Sequence, residues 1–441
     1  MKNIDRRSFL RNSSLAVSAG VVAACGGGGS GDSGDADNRS PYIPPTTGTP
    51  PTSSKSRVIV VGGGMAGATV SKYLRLWGDQ IDVTLIDREP QYTSNILSSL
   101  VLTGQRTLSS LQYGYETLRS TYGLNIVNSE VTSVDPVALK VSLSNGSMLS
   151  ADRIVMAPGI DFDDVPGLSN LNSMPHAWKA GTQTTELAQQ LAAMPTNGIF
   201  ILAIPLAPYR CPPGPYERAC LIADWMRVNK PQGKLIILDA NPNILVEPEN
   251  FRAAFTQLYG NIIEYRAGVA VDSVEESTKT LFTSAGAIRG DVINLIPRQK
   301  APQIIRSTGL ITESASRFAP VDMLDYASTS YPKVHIIGDS SATTQPKAGH
   351  IANQEAKVCA DAIIRYFGGL SADPAPVTTS ACFSTITMSQ ASWLHGMFEY
   401  NPSTRAMTPI PAAAGASNGW SASNYRDMLI WFNSLMADTY A

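Results

Sequence analysis

Apolar residues in this chain gather into short unbroken runs, each closed by glycine, aspartate or proline. The clearest are Val58-Ile59-Val60-Val61, the run at 81–86, Ile199-Phe200-Ile201-Leu202-Ala203-Ile204, Leu235-Ile236-Ile237-Leu238 and Val334-His335-Ile336-Ile337. Runs of this length, rich in Val and Ile and without alternation, are those of strands buried on both faces of a parallel sheet. Helical spacing between them predicts helices over 186–194, 218–228 and from 349 to 366, and a further one over 107–121. Strands are expected at 124–127, 131–134, 139–143 and 153–156, with Asn145-Gly146 as a hairpin turn. Residues 88–104 read as irregular. The fold class is α/β: two Rossmann-like dinucleotide-binding-type units and a small, aromatic-rich C-terminal module holding Trp393, Trp420 and Trp431.

The first run ends in Gly62-Gly63-Gly64-Met65-Ala66-Gly67, a G-x-G-x-x-G between a strand and a helix start. Gly62 permits the tight turn, Gly64 lets backbone approach a pyrophosphate, and Gly67 lets helix close on strand. The helix N-terminus at Met65 and Ala66 then offers free N–H groups to phosphate. Twenty residues past Gly67 the second run ends in Asp87-Arg88, where a ribose-binding acid belongs. Candidate dinucleotide-binding residues are therefore Gly62, Gly64, Met65, Ala66, Gly67, Asp87 and Arg88. Val131 of the following strands and the Ala157-Pro158-Gly159 turn join them. Farther on, Gly338-Asp339 closes a buried strand, and Lys347 and Gly349 open the next helix, whose positive end would favour an anion.

The second unit repeats the strand–helix–strand order and ends in Asp239. Its turn, however, reads Pro205-Leu206-Ala207-Pro208-Tyr209-Arg210-Cys211-Pro212-Pro213-Gly214-Pro215. Proline has no N–H to give a phosphate. This unit is expected to keep the fold and to have lost nicotinamide binding.

Composition changes the picture only at the N-terminus. The 441 residues are 16% charged with a net charge of −2, which gives no sign of a nucleic-acid partner. Arg6-Arg7-Ser8-Phe9-Leu10 ahead of a mild apolar run is a twin-arginine export pattern. Val22-Ala23-Ala24-Cys25 followed by Gly26 to Gly29 resembles a bacterial lipobox, so the expected location is the periplasm, with a lipid anchor at Cys25 as the only membrane contact. Residues 26–56 read as a disordered linker. The remaining cysteines, Cys211, Cys220, Cys359 and Cys382, form no C-x-x-C or haem-attachment spacing, and the four histidines show no metal site. Cys220, Cys359 and Cys382 read as small buried hydrophobes. Cys211, just ahead of a helix and between Arg210 and Arg218, is the candidate catalytic nucleophile with a lowered pKa. Glu247 and His350 are conceivable proton acceptors.

Three blocks carry a resemblance: Pro175-His176-Ala177-Trp178-Lys179-Ala180-Gly181, the run from Arg210 to Arg218, and Asp291-Val292-Ile293-Asn294-Leu295-Ile296-Pro297. They are similar to the flavoprotein subunit of flavocytochrome c sulfide dehydrogenase, and the likeness runs from residue 57 to the end. It implies an FAD-binding domain over 57–180 and 300–370, a second domain over 181–299 and a flavin-binding domain over 371–441. It also implies oxidation of sulfide, with electrons passed to a c-type cytochrome subunit or soluble cytochrome c. Two positions depart from the family. Ser94 stands where a cysteine bonds the flavin, so FAD is expected to be non-covalent. Ser341 stands where the partner of Cys211 in a redox disulfide belongs. The departures leave two further readings open: a flavoprotein with another electron donor, or a non-catalytic flavin-binding or cytochrome-docking protein.

Overall fold

The computed structural model describes residues 55–78 and 80–441; the export signal, Cys25 and nearly all of the linker lie outside the described residues. The first sheet has seven strands in the order Val321–Asp322, Ala327–Ser328, Val334–Ile336, Arg153–Met156, Ser56–Val61, Ile81–Asp87 and Asn125–Asn128. The last five run parallel. Val58, Val60, Leu85, Ile154, Val155 and Ile336 are all but fully buried, because the helices Met65–Trp77 and Gly349–Phe367 cover the sheet. The strand beside Arg153–Met156 comes from residue 334 onward, so this domain is completed only after the second unit has intervened.

The second unit has four parallel strands: Ile263–Ala267, Lys234–Asp239, Ile199–Ile204 and Val292–Leu295. Each unit also carries a three-stranded antiparallel meander. One is Val131–Asp135, Lys140–Leu143 and Met148–Ser150; the other is Val271–Glu275, Thr280–Thr283 and Gly286–Arg289. The C-terminal module is a long hairpin, Val377–Thr387 with Gln390–Asn401, followed by the helix Ala422–Tyr440. Ser421 caps that helix by accepting from the Asn424 N–H at 3.1 Å.

Two expectations need correction. Residues 107–121 are not one helix. A short strand, Gln112–Gly114, pairs antiparallel with Gln91–Thr93, and only Glu116–Ser120 is α-helical. Leu108, Leu111, Tyr115 and Leu118 do have helical spacing. Tertiary packing overrides it, because the strand presents Tyr113 to a stack with Tyr440 and Tyr92 (centroids 5.6 and 5.4 Å from Tyr440). Residues 88–104 are not irregular either: they hold that partner strand and a helical turn, Ser99–Leu102. The helix after the proline loop starts at Gly214, four residues ahead of Arg218, with Pro215 in its first turn.

Candidate functional site

A cleft of about 900 Å³ opens along the C-terminal ends of the first sheet's strands, where open α/β sheets bind their ligands. One wall is the glycine turn. Gly62 has φ +101°, and a Cβ there would meet the Ala157 carbonyl. A Cβ on Gly67 would run into the Gly62 carbonyl oxygen, which fixes Gly67 as the close-packing glycine. Asp87 Oδ2 accepts from the Gly63 N–H at 2.5 Å and Oδ1 from the Glu89 N–H at 2.8 Å. Burial pushes its carboxyl above the ordinary range, against the pull of those two donors. From the other side Tyr440 donates its hydroxyl to the Gly63 carbonyl at 3.0 Å, and Tyr115 to the same oxygen at 3.3 Å.

Three helices begin at this cleft, at Met65, Gly214 and Gly349, and none has a side-chain cap. At Met65 and Gly349 the first N–H groups are left for a ligand; at Gly214 the N–H goes to the Cys211 carbonyl, and Pro215 has none to give. Gly338 and Asp339 complete the wall. The Gly338 N–H donates to Glu355 at 2.7 Å; that buried carboxyl is pushed up to about 8 by desolvation. Asp339 pairs with Arg210 at 3.4 Å. The cleft's size, the open helix ends at Met65 and Gly349 and its aspartate over a glycine turn fit a dinucleotide.

Cys211 lines the same cleft at φ +57°, a left-handed conformation uncommon outside glycine. Its N–H donates to the Lys347 carbonyl at 2.7 Å, and its carbonyl accepts from the Gly214 N–H at 2.9 Å. The lowered thiol pKa expected from sequence is not what the structure gives. Burial, then the Glu217 carboxylate and the Cys382 thiol, push Cys211 well above its ordinary value; Arg210 and the Gly214 N–H only partly oppose them. Arg218 is not among the chief influences on that thiol. It is fully buried, and its guanidinium is spent on the carbonyls of His176 and Ala177 and on Asn294 at 2.9–3.0 Å, while stacking over Trp178.

Of the residues singled out in the sequence, the cleft gathers Gly62, Gly64, Met65, Ala66, Asp87, Arg88, Val131, Ala157, Gly159, Gly338, Asp339, Gly349 and Cys211. Gly67 and Lys347 stand behind it. The Lys347 ammonium donates to the carbonyls of Asp339 (3.0 Å) and Ser341 (2.6 Å) and sits 3.7 Å from the centre of the Phe318 ring, so it holds the turn rather than facing a ligand. Ser94 and Ser341 are fully buried. Ser94 bonds the Ile96 carbonyl at 3.1 Å and Ser341 that of Gly338 at 2.7 Å. Glu247 is held by Ser384 at 2.7 Å. His350 reaches the cleft, but burial and the neighbouring Lys357 push it down to about 4, which makes it a poor base.

Sequence reasoning missed three lining residues. Glu217 accepts from the Thr385 hydroxyl at 2.6 Å and is pushed up to about 7 by burial. Trp431 comes from the C-terminal helix, and Cys382, read as core, is partly exposed in the cleft. Glu217 had a signal, since it lies in the first turn of the helix that follows Cys211. The other two reach the cleft only through the fold of the last module.

The second unit lends its proline loop to this cleft, but its own strand-end aspartate does not line it. Asp239 is fully buried and saturated: Tyr216 and Tyr265 each donate a hydroxyl to Oδ2 at 2.8 Å, and Asn241 gives Oδ1 its N–H and its side-chain amide at 2.9 and 2.8 Å.

Comparison with known proteins agrees with this division. Residues 56–201 match the pyridine nucleotide-disulphide oxidoreductase family model. Residues 184–297 match the central part of the sulfide dehydrogenase (flavocytochrome c) flavoprotein chain, and residues 374–440 match the flavin-binding part of flavocytochrome c sulphide dehydrogenase. A ferredoxin–NAD(+) reductase subunit of the Pseudomonas putida benzene 1,2-dioxygenase system is 33% identical over 111 residues, 24% of this chain and 26% of its own. Sulfide-quinone reductase of Aquifex aeolicus is 26% identical over 102 residues, 23% and 24% of the two chains. The chain thus matches about a quarter of the length of these relatives. Among solved structures, the sulfide:quinone oxidoreductase of Aquifex aeolicus superposes with a TM-score of 0.71 at 18% identity, over 87% of this chain and 91% of that one. NDH2 from Plasmodium falciparum, solved with NADH, gives 0.64 at 12% identity, over 87% and 97%. At such identities the likeness is one of fold. The family models cover the glycine turn, Cys211 and the C-terminal wall; Gly338, Asp339 and Gly349 lie between the matched stretches. The chain belongs to the flavocytochrome c sulfide dehydrogenase flavoprotein family of pyridine nucleotide-disulphide oxidoreductases, and its cofactor is FAD.

Proposed function

We propose that this flavin-dependent oxidoreductase oxidises sulfide, or another small reduced sulfur species, at Cys211 and passes the electrons to a c-type cytochrome. One observation carries the reading: Cys211, held in a left-handed conformation on the proline loop, opens into the same cleft as the dinucleotide turn. Gly62, Gly64, Met65, Ala66, Asp87, Gly338 and Asp339 would hold FAD without a covalent bond, since Ser94 is buried with its hydroxyl already engaged. FAD supplies a two-electron acceptor that can release electrons singly. Around it, Cys211 binds the sulfur atom and Glu217, poised at about 7, takes its proton. Arg210 is oriented by Asp339, by its N–H to Gln299 at 2.7 Å and by a bond to the Trp178 carbonyl, and keeps positive charge beside the thiol. The second unit takes no nicotinamide, because Tyr216, Tyr265 and Asn241 occupy its acid and proline replaces its phosphate donors.

The compartment suited to this chemistry is the periplasm, reached by the twin-arginine route with a lipid on Cys25. A mass shift on the N-terminal peptide that disappears in Cys25→Ala tests the anchor. Anaerobic sulfide titration, followed by flavin absorbance and then by haem absorbance of added cytochrome c, tests the reaction. Bleaching in the wild type and its loss in Cys211→Ser are expected. A flavin that stays oxidised under excess sulfide favours another donor, the reading that Ser341 supports by leaving Cys211 without the family's second sulfur.

A further inference from the structure

Among the described cysteines, Cys220 and Cys359 are fully buried; Cys211 and Cys382 are partly exposed, and both line the cleft. They arrive from different modules, Cys211 on the proline loop and Cys382 on the strand Val377–Thr387. Two ties bring that strand to the cleft. Thr385 donates to Glu217, in the first turn of the helix that Cys211 precedes, at 2.6 Å. The Ala381 N–H donates to His350 Nδ1, at the start of the helix Gly349–Phe367, at 2.9 Å. Cys382 and Glu217 both help raise the Cys211 thiol, and Glu217 also raises that of Cys382. The serine at 341 is meanwhile buried and bonded to Gly338.

We infer that Cys211 and Cys382 form a reversible redox pair across the cleft, in which the C-terminal module supplies the second sulfur. In forming the disulfide, each thiol loses one proton, and the pair's two electrons and two protons pass to a small-molecule oxidant of the azo class, which leaves as the hydrazine. Hydrosulfide then attacks one sulfur of the bridge. A new S–S bond forms to the incoming sulfur, the Cys211–Cys382 bond breaks, and one cysteine leaves as a persulfide while the other takes a proton. No net oxidation accompanies that exchange. The high thiol pKa of both residues fits this order, because burial disfavours a free thiolate and the external hydrosulfide is the nucleophile. This second step rests on the sulfide reading above; the pairing does not.

The test uses the whole protein, reduced, freed of reductant, treated with diamide and mapped as peptides after blocking with N-ethylmaleimide. A Cys211–Cys382 linked peptide is expected, lost on reduction and absent from Cys211→Ser and from Cys382→Ser. Free, blocked Cys211 and Cys382 after oxidation, in a protein whose Cys220 and Cys359 react only on unfolding, would overturn the pair. Added sulfide should open the bridge, leaving one extra sulfur on one cysteine and one newly blocked thiol. A bridge that forms and resists sulfide keeps the pair and removes the sulfide reading. Flavin bleaching that needs Cys211 and survives Cys382→Ser, with no linked peptide, removes the pair and keeps the reading.

Discussion

The two dinucleotide-type units share a strand–helix–strand order, each with an aspartate at the end of its second strand, but the two aspartates have opposite fates. Asp87 accepts from two backbone N–H groups, Gly63 in the glycine turn and Glu89 in its own turn, and still lines a cleft. Asp239 accepts four bonds from three of the chain's own residues and is sealed. A glycine turn leaves room and N–H groups for a phosphate; a proline loop leaves neither. The same architecture therefore serves once as a cofactor cradle and once as a scaffold that carries Cys211. The lesson is that the acid at the end of a Rossmann-type strand can be taken up by the unit's own side chains, as Asp239 is, or stay at a cleft, as Asp87 does.

The contrast can be broken at several points. The largest effect belongs to Gly62→Val. With φ +101° and the Ala157 carbonyl against its Cβ, the turn cannot form, and the purified protein should lose nearly all bound flavin by absorbance. Asp87→Ala should weaken FAD about ten- to a hundredfold in a fluorescence titration, the scale of a hydrogen bond to a charged group. Asp239→Ala should leave flavin content unchanged yet cost about 2–4 kcal/mol in denaturant unfolding, because Tyr216 and Tyr265 lose their buried acceptor. If Asp239→Ala strips flavin while Asp87→Ala does not, the assignment of roles is reversed.

A smaller effect concerns pH. Glu217 is raised from 4.5 to about 7, so its burial favours the protonated form. Its contribution to stability is present below 4.5 and is lost as pH rises through about 7. Glu217→Gln should flatten the unfolding midpoint across that window. The smallest is kinetic: Cys211, raised by burial, should alkylate more slowly at neutral pH than an unperturbed thiol, and faster as pH climbs.

The parallel strands and the glycine turn were legible because their signals are local: unbroken apolar runs, glycine spacing and an aspartate at the right offset. The proline loop's failure to offer phosphate donors was legible for the same reason. The segment 107–121 misled because its helical spacing was real, while the stack with Tyr440 that decides its conformation comes from more than three hundred residues away. The state of Cys211 was misread because a helix start is visible in sequence and the surrounding desolvation is not. Cys382 was missed because the inward reach of its strand depends on the bonds of Ala381 and Thr385 to helices elsewhere.

The Tyr440 hydroxyl on the Gly63 carbonyl closes a contact spanning 377 positions. A growing chain that has made the glycine turn early cannot finish its surroundings until residue 440 has left the ribosome. The cradle is therefore completed only once the helix carrying Tyr440 is available, and a product cut ahead of that helix would lack one wall of it.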